Sequence, residues 1–151
     1  MENYDPAMAR RVWQRVRGEE PPSAGGPSLQ TLMEEAWEDA QRYRQFSRRH
    51  RGKVAALYAQ LHRQTMEHLR LLKGVCALSD QCNPVLTSIP PRQEPENIVL
   101  RRCYGRALQR LHWYTAKEND PRYGHILLPL IRQTQQHTRL LLQLMTRPGV
   151  K

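Results

Sequence analysis

Two histidines stand at matching places in a duplicated stretch of this chain. Leu61–Leu72 aligns with Leu130–Leu141 and is identical to it at Leu61, Arg63, Gln64, Thr65, His68, Arg70, Leu71 and Leu72. Each copy therefore carries Thr-x-x-His, Thr65 with His68 and Thr134 with His137. About one helical turn separates the members of each pair, so threonine and imidazole share a face. Two further segments echo each other more weakly. Ala36 precedes Tyr43, and Ala107 precedes Tyr114, in each case by seven residues, or about two turns. An imidazole can ligate a transition metal or carry a proton. With threonine and tyrosine hydroxyls around it, it can equally form a hydrogen-bonded cluster that needs no metal.

Helices must position these groups, because the apolar residues repeat with a helical period throughout. Ser28 is a good N-cap for a first bundle helix with the stripe Leu29, Leu32, Ala36, Ala40, Tyr43 and Phe46. Gly52 marks a break, and a second helix follows with Val54, Leu57, Leu61, Thr65, His68, Leu72 and Val75 on one face. Pro84, Pro90 and Pro91 lie in a long connection, roughly residues 79–94. Pro95 suits the first turn of a third helix with the stripe Leu100, Cys103, Ala107, Leu111 and Tyr114. Asp120-Pro121 reads as N-cap and first residue of a fourth helix, which Pro129 should kink or delay. Its stripe is Leu130, Thr134, His137, Leu141 and Leu144. Ahead of the bundle, residues 1–27 divide into a short helix over 5–17 and a Pro/Gly-rich linker. The chain is read as all-α, two helix pairs joined by a crossover over residues 28–151, with a short N-terminal helix.

This arrangement resembles the rubrerythrin-like branch of the ferritin-like superfamily, over roughly residues 28–145. In that family the first and third helices carry Glu followed seven residues later by Tyr, and the second and fourth carry Glu-x-x-His. Together these groups bind two irons. The resemblance places His68 and His137 at the histidine positions and Tyr43 and Tyr114 at the tyrosine positions. The four glutamate positions fall on Ala36, Thr65, Ala107 and Thr134. Four buried carboxylates without metal would repel one another, so a bundle that gave up iron should carry small or neutral residues there. Two readings follow from the resemblance. One is a degenerate, metal-free site in a non-catalytic binding or scaffold protein. The other is a divergent redox protein handling peroxide, oxygen or iron. It would hold iron or another transition metal through His68 and His137, with carboxylates borrowed from Glu35, Glu38 or Asp39 or from a partner chain. Glu67 points about 100° away from His68 and is a poor substitute.

Composition narrows the remaining classes. Twenty-four Lys and Arg against 14 Asp and Glu give a formal charge of +10, enough to attract anionic partners. The densest run is Arg48-Arg49-His50-Arg51-Gly52-Lys53. Arg101, Arg102, Arg106 and Arg110 read as arginines scattered on helix faces. No aromatic residues interleave with the basic run, so a solvated basic surface is favoured over a dedicated nucleic-acid site, which the charge still permits. A protein partner is left unidentified, and the exposure pattern permits a homodimer. No apolar run is long enough for a membrane span, and the N-terminus lacks the apolar core of a signal peptide. Cys76, Cys82 and Cys103, with no Cys-x-x-Cys pair, read as reduced thiols, and the chain is expected in the cytoplasm.

Overall fold

The computed structural model describes residues 28–79, 82–87, 90 and 92–149. The helix over 5–17 and the linker after it lie outside these. Four helices make up the described chain: α1 Leu29–Arg49, α2 Gly52–Ala77, α3 Glu96–Lys117 and α4 Gly124–Thr146. No strand occurs among the described residues. The all-α reading holds.

The helix ends follow from local chemistry. Ser28 Oγ accepts the Thr31 N–H at 3.1 Å and caps α1 as its sequence suggests. Two residues separate α1 from α2, and the reversal needs Gly52, whose φ of 63° lies where side chains are disfavoured. The start of α4 departs from expectation. Asp120 does not cap a helix. Its carboxylate accepts the Arg122 N–H at 2.8 Å and holds a turn, so α4 begins only at Gly124. A Cβ on Gly124 would sit 2.3 Å from the Glu118 carbonyl oxygen, so only glycine lets α4 start this close to the end of α3.

The connection between α2 and α3 fixes the topology. It runs back along α1: Asn83 N–H donates to Gln30 Oε1 at 2.7 Å, Trp37 Nε1 to the Thr87 carbonyl at 3.1 Å, and Arg42 to Glu94 at 2.5 Å. Glu96 then opens α3 beside the end of α1, the start of α2 and the end of α4. There it accepts from His50 at 2.9 Å, from Arg147 at 2.6 Å and from the Tyr58 hydroxyl. So α2 and α3 run parallel, and α1 and α4 run against both. α1 packs mainly on α2 and α3 on α4, while α2 also meets α4 across the bundle.

The core has three layers. At one end Leu29, Leu32, Met33, Leu72, Val75, Trp113, Tyr123, Leu127 and Leu130 pack together. At the other end Phe46, Tyr58, Leu61, Val99, Leu100, Leu140, Leu141 and Leu144 do the same. Between them lies a buried polar layer: Asp39, Thr65, His68, Arg110, Thr134 and His137.

The cysteine reading is corrected. Cys76 and Cys82 form a disulfide, with Cα atoms 5.4 Å apart. The chain doubles back after Ala77 and lays Cys82 against Met33 on α1, which returns it to the last turn of α2. Cys103 alone is free, and it is buried. Disulfides persist in oxidising compartments, so the cysteines no longer argue for the cytoplasm. Among the described residues no helix is long and apolar enough to cross a membrane.

Candidate functional site

All eight positions that the repeat places inward are buried: Ala36, Tyr43, Thr65, His68, Ala107, Tyr114, Thr134 and His137. Each sits on the apolar stripe of its helix, which is why four helices converge on one layer. The two imidazoles face each other across α2 and α4 with ring centroids 5.8 Å apart.

His68 has two partners. Its Nδ1 lies 3.2 Å from Gln133 Oε1 and its Nε2 lies 2.5 Å from the Tyr114 hydroxyl. A neutral imidazole has one donor and one acceptor nitrogen. Gln133 Oε1 can only accept, so Nδ1–H donates to it and the Tyr114 O–H donates to Nε2. Burial pushes His68 well below its ordinary pKa, and the positive charge of Arg110 pushes the same way. Burial likewise raises the Tyr114 phenol, which keeps its proton.

His137 is placed differently. Its Nε2 has no hydrogen-bond partner among the described residues. Burial first, and then Arg110, lower its pKa to about 4. The threonines differ in the same sense. Thr134 Oγ1 donates to the Leu130 carbonyl at 2.7 Å, whereas Thr65 Oγ1 has no protein partner. Gln64, the repeat counterpart of Gln133, also leaves its Oε1 unpaired.

Arg110 is the residue that sequence reading misplaced. The sequence suggests a solvated helix face for it, but it is only 2% exposed. Its Nη1 lies 3.6 Å from Asp39 Oδ2, itself a buried carboxylate. Asp39 Oδ1 accepts from Arg106 at 2.8 Å, and Arg106 also holds Glu38 at 2.6 Å and Glu35 at 3.6 Å. Burial opposes the charge on Arg110, but Asp39 together with the neighbouring phenols and thiol holds its pKa up, and a guanidinium is protonated regardless. Tyr43 and Cys103 complete this side of the layer, both raised well above their ordinary pKa by burial.

A signal for this pair was present in the chain. The spacing from Ala36 to Ala107 and from Tyr43 to Tyr114 is also the spacing from Asp39 to Arg110 and from Glu35 to Arg106. The two halves carry opposite charge at matching places, and those places meet.

A di-iron centre does not fit this donor set. His68 Nε2 is committed to Tyr114, which leaves His137 Nε2 as the open imidazole nitrogen. Glu35, Glu38 and Asp39 make ion pairs with Arg106 and Arg110 in this structure. Among the described residues no group of three or more His, Cys, Asp and Glu side chains could hold a metal ion. The remaining four histidines lie outside the layer: His50 Nε2 meets Glu96 at 2.9 Å, His62 Nδ1 meets the Ala40 carbonyl at 2.9 Å, and His112 and His125 are exposed. Compared with known proteins, the chain matches no family model, no curated protein and no solved structure.

Proposed function

We propose that this chain is a ferritin-like, rubrerythrin-type bundle that has given up its di-iron centre and acts as a non-catalytic binding or scaffold protein. One observation carries the reading. A guanidinium, Arg110, is buried in the layer of His68 and His137 and is balanced by Asp39. A metal centre needs anionic ligands to offset its charge. Here the fixed positive charge comes from a side chain, and the available carboxylates already answer it. The parallel α2 and α3, joined by a connection that travels the length of α1, support the ferritin-like assignment, since such bundles carry one long crossover. The alanines and threonines at the four glutamate positions support the loss of iron.

Elemental analysis tests this on protein purified without chelator or affinity tag. The expected result is substoichiometric transition metal, unchanged by anaerobic incubation with ferrous iron. Iron at about one or two per chain, as a di-iron carboxylate bundle would hold, would overturn the proposal if it disappears in His68→Ala and His137→Ala.

A further inference from the structure

Among the described residues, two arginine-lined clefts are opposite in character. One, of about 250 Å³, lies between α1, the crossover and α3, and is lined by Arg42, Arg92, Arg102 and Arg106 together with Glu38 and Glu94. Its charges are largely spent internally. Glu94 takes Arg42 at 2.5 Å and Arg102 at 2.7 Å, and Glu38 takes Arg106 at 2.6 Å.

The other, of about 420 Å³, opens along the outer face of α1 and is lined by Gln41, Arg44, Gln45, Arg48 and Arg49. Among the described residues no carboxylate lines it. Arg44, Arg48 and Arg49 are exposed, and none of them pairs with an acidic group of the described residues. The exposed Arg51 and Lys53 extend the charge around the turn into α2, likewise without an acidic partner among the described residues. Helix periodicity explains the alignment, because 41, 44, 45, 48 and 49 follow one face.

We infer that this face of α1 binds the phosphodiester backbone of a nucleic acid, without reading its sequence. Guanidinium forks match phosphate oxygens bidentately, and glutamine amides can donate to the same oxygens. An acidic protein partner fits less well, since protein interfaces centre on apolar anchors and no exposed large hydrophobic residue lies on α1. A membrane surface fits less well for the same reason: nothing on this face could insert among lipid chains. A stacking platform, which the basic run lacks, serves base contacts, and a backbone-binding face does not need one.

The inference deepens the surface-acting reading but fails separately from it, because metal content tests the core and nucleic-acid binding tests the groove. The experiment is fluorescence anisotropy of the full chain with a labelled oligo(dT) strand and a labelled random-sequence duplex, titrated at several salt concentrations. The expected result is binding to both probes, with affinity falling linearly on a log–log salt plot. Arg44→Gln/Arg48→Gln/Arg49→Gln should lower the slope by about 2 on the single strand and weaken binding on the order of 100-fold at about 50 mM salt, if each arginine releases about 0.7 counterions. Arg63→Gln/Arg132→Gln/Arg139→Gln removes the same charge from α2 and α4 and should cost far less. Circular dichroism should show both variants folded, since all six residues are exposed. No binding at low salt would overturn the inference, as would equal losses in the two variants. So would binding to polyglutamate or anionic vesicles that matches binding to the oligonucleotides.

Discussion

His68 and His137 occupy matching places in the duplicated helices and live in different chemistry. His68 has both nitrogens served, by Gln133 and Tyr114, and Thr134 bonds the backbone of its own helix. The atoms that match these in the repeat, His137 Nε2, Thr65 Oγ1 and Gln64 Oε1, have no hydrogen-bond partner among the described residues. The other two helices are unlike as well: Arg110 and Asp39 stand at equivalent positions but carry opposite charge. A symmetric ligand set suits a pair of metal ions. An acid facing a base suits a permanent internal ion pair. The repeat sets the layout of this layer, and the residues that differ between its halves give the two histidines different surroundings.

The sharpest way to break the comparison is to remove the carboxylate that balances the layer. Asp39→Asn leaves Arg110 buried without its counter-charge and should destabilise the fold by roughly 3–5 kcal/mol, read from the urea midpoint. Asp39→Leu/Arg110→Leu should recover most of that loss, because removing both charges leaves nothing unpaired. A double variant as unstable as Asp39→Asn would show that the pair is not the electrostatic unit described here.

Acid should discriminate next. Both imidazoles are held neutral in the fold and titrate normally when unfolded, so the unfolded state takes up protons first as pH falls. Stability should be fully present above pH 6.5 and should decline through the window down to about pH 4. The His137 share of the loss is roughly 3 kcal/mol, taking about 1.4 kcal/mol per unit. Urea midpoints measured across that window should fall steeply in the wild type and less steeply in His137→Leu. An unchanged pH slope in that variant would remove His137 from the account.

The smallest contrast compares the histidines directly at neutral pH. His68→Leu strands the Tyr114 hydroxyl and the Gln133 carbonyl oxygen, and should cost roughly 1–3 kcal/mol. His137→Leu removes an atom that already lacks a protein partner and should stay within about 1 kcal/mol of wild type. Equal costs would mean that the two halves are not served differently after all.

Much of this was legible in the chain because periodicity and repetition are local properties. The stripe residues of α1, from Leu29 to Phe46, are all buried as their spacing requires, and Ser28 caps the helix. The inward places of Tyr43, His68, Tyr114 and His137 followed from the same pattern. The start of α4 did not, because the clash that reserves Gly124 involves the Glu118 carbonyl at the end of α3, on the far side of a turn. The Cys76–Cys82 disulfide did not either, since it depends on the crossover folding back against Met33. Asp39 and Arg110 show the boundary most clearly. The chain held both residues at repeat-related positions, but a charged side chain reads as solvent-facing until a partner is known to meet it. Helix phase, repeat and charge were set by the order of residues alone. Which charges are buried together was decided by the packing of α1 against α3, because the energy of an ion depends on its neighbours in space.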